Sequence, residues 1–204
     1  MGNEVSSQKH PPPPLAPLPE RTGVVAALCH PYEITLRLKE QVGWSGDSFN
    51  ITDINGNPSF QVKGRAMSFK QKKVLQDMNG IPILNFRHEF SLFRKYSVYT
   101  GDKPTQLVAT IKPVVFLGVT ADISFTDISG QQRKFLLNGN FLSSRADIID
   151  ERTRMVVGRI SRQKWSANDL LWGQQTYYLT VAPNVDLALM ICICVALDEA
   201  KHEK

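Results

Sequence analysis

An apolar run near the C-terminus restricts the fold more than any other segment. From Leu187 to Leu197 eleven residues pass without a polar side chain. As a helix the run spans about 16 Å at 1.5 Å per residue, roughly half of the ~30 Å hydrocarbon core of a bilayer. No transmembrane span is therefore expected. A helix apolar on every side must instead be covered on every side, which makes Leu187, Leu189, Met190, Ile191, Ile193, Val195 and Leu197 candidate core residues. Pro183-Asn184-Val185-Asp186 supplies a start signal, with Asn184 or Asp186 as N-cap. Asp198 and Glu199 then sit unfavourably against the C-terminal dipole, partly offset by Lys201. A buried strand is the competing reading, but eleven residues is long for one and Ala, Leu and Met favour helix.

Whatever surrounds this run reads as β-structure. Ile34, Leu36 and Leu38 alternate with polar residues, as do Val119, Ala121, Ile123 and Phe125, and again Tyr177, Leu179 and Val181. Period two marks strands with one buried face. Asn55-Gly56, Asn79-Gly80, Thr100-Gly101, Ser129-Gly130 and Asn138-Gly139 are turn signals between them. No long amphipathic helix interrupts residues 30–180, so the fold class is antiparallel all-β, a barrel or sandwich. The chain also repeats: Asp53, Gly56, Phe60, Gly64 and Arg87 recur as Asp127, Gly130, Phe135, Gly139 and Arg162 at offsets of 74 or 75 residues. Two hairpin-rich halves can close on one another and leave few open edges, and a closed sheet with an apolar lumen would accommodate the helix. Ahead of this domain (residues 23–200), residues 1–22 read as a disordered Pro-rich tail. Pro11 to Pro14, Pro17 and Pro19 exclude helix and favour polyproline II, either as a stiff spacer or as a ligand for a Pro-rich-motif-binding protein.

The ordered series of motifs resembles the LURP-one-related family, relatives of the tubby C-terminal domain and the phospholipid scramblases. The first half carries Asp53-Ile54-Asn55-Gly56, Phe60, Val62, Gly64, Asp77, Gly80, Pro82, Leu84, Arg87 and Val98-Tyr99. The second carries Gly139, Ile148-Ile149-Asp150, Val157, Arg159, Tyr178, Pro183, Asp186 and Leu197-Asp198-Glu199. The matching residues cover most of 45–199. The resemblance implies a closed antiparallel barrel of about a dozen strands around the C-terminal helix. The Pro-rich tail has no counterpart in it, and no headgroup-binding residues carry over by motif.

Function is less legible. Net charge is +5. Residues 1–20 and 198–204 each contribute −1, which leaves +7 on the middle of the chain. That balance favours an anionic partner such as a phospholipid or phosphoinositide surface. The candidates are Lys70, Lys72, Arg94, Lys95, Arg133, Lys134, Arg159, Arg162 and Lys164, although ordinary solvated strand faces would carry such charges too. No nucleic-acid partner is expected, because no aromatic residues interleave the basic ones. Three cysteines, with Cys192 and Cys194 two apart on a helix, cannot form a disulfide framework, and no signal-peptide stretch is visible, so a cytoplasmic monomer is expected. The histidines lack metal or nucleophile spacing, and Asp147, Asp150 and Glu151 lack calcium-loop spacing. No cofactor and no enzymatic activity are read from this sequence. Met1-Gly2-Asn3-Glu4-Val5-Ser6 fits the myristoylation pattern, making Gly2 a lipidation candidate and a peripheral membrane location an expectation.

Overall fold

The computed structural model describes residues 12–41, 48–64, 72–89, 94–116, 118–140, 145–162 and 176–202. Twelve strands follow one another: β1 (Ile34–Gln41), β2 (Ser48–Asp53), β3 (Pro58–Gly64), β4 (Lys73–Asp77), β5 (Pro82–Glu89) and β6 (Lys95–Thr100). The second six are β7 (Leu107–Phe116), β8 (Gly118–Thr126), β9 (Gln132–Asn140), β10 (Arg145–Asp150), β11 (Val156–Arg162) and β12 (Thr176–Val181). Each pairs antiparallel with its neighbour in sequence, and β1 pairs with β12, closing the barrel. Closure leaves no open sheet edge among the described strands.

The helix α1 (Leu187–His202) fills the lumen. Every residue from Leu187 to Asp198 is buried. Its all-round apolarity is answered by inward-facing side chains from the barrel wall, among them Leu36, Leu38, Phe49, Ile51, Leu75, Leu84, Phe86, Ile111, Ile123, Phe135, Ile148 and Leu179. Gly158 shows how closely the wall approaches: a Cβ there would lie 2.0 Å from Met190 Cε. No helix among the described residues is long and apolar enough to cross a membrane.

The internal repeat is visible as geometry. At the β2–β3 turn Asp53 Oδ1 accepts from the amides of Asn55 and Asn57, while Gly56 takes φ +89°. At the β8–β9 turn Asp127 Oδ1 accepts from Ser129 and Gln131, with Gly130 at +83°. The β4–β5 turn does the same with Asp77, Asn79, Ile81 and Gly80. In each, the carboxylate satisfies amides that the turn leaves free, and glycine occupies the left-handed position at no steric cost. Asn138-Gly139 departs from its expected role as a turn. Both residues lie inside β9, paired with Asp147 and Ala146.

The N-terminal segment departs further. Residues 12–22, expected as part of a disordered tail, lie against the barrel. Leu15 and Leu18 are 7% and 2% exposed and join the core cluster. Thr22 makes a parallel bridge with Val185. The prolines that exclude helix also hold this stretch extended, so little conformational entropy opposes its docking. Residues 1–11, Gly2 among them, are outside the described residues.

Candidate functional site

Three polar clusters are built into the barrel, and each is a structural device first. At the helix entry Asp186 Oδ1 accepts from Ala188 N at 2.8 Å, which identifies it as the N-cap. Its Oδ2 accepts from the amides of Val24 and Val25, both at 2.9 Å, so one carboxylate ties the N-terminal segment to the helix. Burial pushes this acid up to about 6, against the opposing pull of those hydrogen bonds. Asn184, the alternative cap, instead takes φ +68° and donates to Leu18 O.

At the far end of the helix Asp198 accepts from the Tyr177 hydroxyl, and Glu199 meets Lys73 Nζ at 2.7 Å. The two acids expected to strain the helix terminus are therefore answered by the barrel wall. The third cluster surrounds Arg133. Its guanidinium contacts Asp150 at 3.1 Å, Asp127 at 3.6 Å and Glu20 of the N-terminal segment at 3.0 Å. Burial tends to raise Asp127, but hydrogen bonds from Ser129 and Gln131, with Arg133 adjacent, hold its carboxyl below the usual range.

These contacts redistribute the basic residues singled out in the sequence. Arg133 is not a surface cation, because its side chain is 3% exposed and spent on carboxylates. Lys72 is buried as well, with its ammonium on the Asp102 carbonyl. Lys134 lies 3.3 Å from Asp122 and 3.6 Å from Glu151, and these acids hold its pKa up. Arg94 and Lys95 are half-buried, with Lys95 opposite Glu89 in the β5–β6 register. Arg159 bonds Asp147 at 2.9 Å and the Pro13 carbonyl at 3.2 Å. Lys70 and Lys164 lie outside the described residues; Arg162 ends β11, and its side chain is likewise outside them.

A groove of about 470 Å³ on the outer wall is lined by Ser124, Gln132, Arg133, Lys134, Glu151 and Arg152. Its cations are matched by Glu20, Asp122, Asp127, Asp150 and Glu151, so it presents no positive field to an anion. Among the described residues no three His, Cys, Asp or Glu side chains are placed to hold a metal ion. Cys29, Cys192 and Cys194 are free and buried. Burial pushes Cys29 up to about 11 and raises the other two as well, which leaves all three as poor nucleophiles.

The adjoining wall, from β10 round to β1, differs. Strand register lines up Arg37 on β1 with Tyr178 on β12, Tyr178 with Ser161 on β11, and Ser161 with Arg145 on β10. The next row is Thr35, Thr180, Arg159 and Asp147. Lys39 follows Arg37 on the same face of β1, whose other face buries Leu36 and Leu38. Four cations, Arg37, Lys39, Arg145 and Arg159, thus share a face with one carboxylate, Asp147, which already bonds Arg159 and lies 3.7 Å from Arg145. Arg37 to Arg145 spans three inter-strand spacings, about 14 Å. Of this set only Arg159 was legible in the sequence as a candidate. Arg37, Lys39 and Arg145 are isolated charges along the chain, and only barrel closure, which places β1 beside β12, brings them together.

A closed twelve-stranded antiparallel barrel threaded by its C-terminal helix defines the class of protein. The chain belongs to the LURP-one-related family, whose profile matches residues 34–198. It is 28% identical to LURP-one-related 15 of Arabidopsis thaliana over 92% of this chain and 90% of that protein. It is also 28% identical to LURP-one-related 10 of the same plant, over 86% and 94%. An uncharacterised Bacillus subtilis protein, YxjI, is 24% identical over 81% of this chain and 92% of its own. Among solved structures, an Arabidopsis thaliana protein matches with a TM-score of 0.66 at 26% identity, covering 88% of this chain and 98% of that one.

Proposed function

We propose that this LURP-one-related protein is a non-enzymatic barrel that associates peripherally, from the cytoplasm, with membranes rich in anionic phospholipid or phosphoinositide. The observation that carries the reading is the cationic face formed by Arg37, Lys39, Arg145 and Arg159 across β1, β12, β11 and β10. Charges on the β8–β9 side are matched by acids, whereas Arg37 and Lys39 have no carboxylate partner among the described residues. Cations spread about 14 Å across an open strand wall match a surface of several headgroups better than one enclosed ligand.

The N-terminal segment supports the same reading. Gly2 fits an acylation pattern, and an acyl chain there would add a second membrane contact to the cationic face. A single myristoyl chain binds with an association constant of about 10⁴ M⁻¹, which is marginal. Three cations at about 1 kcal/mol each add roughly 150-fold, reaching about 10⁶ M⁻¹.

The test is vesicle co-sedimentation of the acylated protein with neutral and phosphoinositide-containing vesicles. Binding to the anionic vesicles is expected, with loss at high salt and in the triple variant Arg37→Glu, Lys39→Glu, Arg145→Glu. Gly2→Ala is expected to shift the protein from membrane to cytosol. Equal binding of wild type and triple variant to anionic vesicles, or no binding by either, refutes the reading.

A further inference from the structure

The N-terminal segment is docked in a way that does not depend on its being covalently part of this barrel. From residue 12 to residue 20 only Leu15 and Leu18 are buried, and Pro12, Pro13, Pro14, Ala16, Pro17, Pro19 and Glu20 are exposed. Polyproline II has three residues per turn, so a spacing of three puts both leucines on one face of the extended strand. Proline supplies the preset backbone, and both buried leucines have their amides satisfied by the barrel. Leu18 N donates to Pro183 O at 3.2 Å, and Leu15 N donates to Glu33 Oε2 at 2.5 Å.

The receiving side is assembled entirely from the barrel. Asn184 donates its carboxamide to Leu18 O at 2.8 Å from a left-handed backbone position unusual for a non-glycine residue. Its own amide is fixed by His30 O at 2.7 Å. Arg159 donates to Pro13 O, and Arg133 and Arg152 both bind the Glu20 carboxylate. Val157, at the register shift between β10 and β11, has no exposed surface. It belongs to the same apolar cluster as Leu15 and Leu18, which the segment carries between Arg159 and Pro183. Leucine pockets, backbone clamps at both ends and a paired-arginine seat for a carboxylate together make a peptide site.

We infer that the groove over β11 and the β12–helix corner is a docking site for extended, proline-flanked Leu-x-x-Leu segments with a carboxylate two residues beyond the second leucine. Residues 13–20 occupy it in cis. A partner carrying such a segment competes with them. The tether gives the cis segment an effective concentration in the millimolar range, so partner binding is suppressed until the segment is released. The groove shares Arg159 with the cationic face but uses neither Arg37 nor Arg145, so the peptide assay and the triple-variant vesicle assay fail separately.

The test uses the full chain and a labelled synthetic peptide of residues 12–22. With the double variant Leu15→Asp, Leu18→Asp the peptide is expected to bind saturably, at least tenfold more tightly than to the wild-type chain, whose groove is filled. A peptide carrying the same two aspartates is expected to bind neither. Glu20→Lys provides a second variant that places no charge in an apolar pocket. It is expected to admit the wild-type peptide better than the wild-type chain does, and a Glu20→Lys peptide is expected to bind it less well than the wild-type peptide. No saturable binding to either variant, or equal affinity for variant and wild-type chains, overturns the site.

Discussion

Ile191 is the position at which the lumen-filling role of α1 can be tested most directly. It has no exposed surface, and Leu189, Met190, Cys192 and Ile193 around it have none either. Replacing it with alanine deletes buried carbon atoms from a helix that cannot shift, because the barrel encloses it on all sides. Such deletions cost about 2–5 kcal/mol. For a domain of this size each kcal/mol moves the melting temperature by roughly 2–4 °C, so Ile191→Ala is expected to melt roughly 4–20 °C lower. Ile191→Asp adds a carboxyl with no partner within the lumen, at a further ~1–3 kcal/mol in protein terms and more if the acid ionises. The combined loss approaches the ~5–15 kcal/mol that holds a whole domain together, so no cooperative transition is expected. Ile54→Asp is the control. Ile54 is 70% exposed at the tip of the β2–β3 turn, and its replacement is expected to change stability by no more than about 0.5 kcal/mol. Thermal and urea unfolding followed by circular dichroism, with size-exclusion chromatography, measures all three. A folded, monodisperse Ile191→Asp protein would refute the argument that the helix is the enclosed core of the domain.

Two further outcomes rest on the helix entry and the barrel wall. A Cβ at Gly23 would lie 2.0 Å from Asp186 Cβ at a backbone φ of +150°, so Gly23→Ala is expected to cost at least about 3 kcal/mol in urea unfolding. Gly158→Ala meets only the mobile end of Met190 and is expected to cost clearly less; the reverse order would contradict the assigned packing. Asp186 is held up at about 6 against an ordinary 3.8, so folding favours its protonated form. Its contribution is complete below pH 4 and is lost as pH rises through 6. The wild type should therefore lose about 3 kcal/mol relative to Asp186→Asn between pH 3 and pH 7. Parallel pH profiles for the two proteins would sink that assignment.

Much of the architecture is written in local pattern. Alternation places β1, β8 and β12, and Asp-x-x-Gly places the β2–β3 and β8–β9 turns, because a carboxylate and a glycine at that spacing complete a turn without tertiary help. Asn138-Gly139 carries the same local turn preference and still lies in β9, because its neighbours on β10 hold it in the ladder. The candidate cations fared differently. Lys72, Arg133 and Lys134 look like surface charge along the chain, but each meets a partner supplied from elsewhere: Asp102; Asp127 with Asp150; Asp122 with Glu151. No charge run in a sequence distinguishes a solvated lysine from one that closes a buried cluster.

From the sequence alone came the identity of the core, an all-β wall and a helix too short to span a bilayer, because these follow from periodicity and length. The apolar run from Leu187 to Leu197 demanded complete enclosure whatever enclosed it. Only the tertiary structure decided which surfaces are available. Barrel closure set Arg37 beside Tyr178 and so gathered a cationic face from strands far apart in sequence. Docking of Leu15 and Leu18 turned an apparent spacer into part of the core. Both depend on contacts between distant segments, and such contacts leave no period or spacing within either segment to be read.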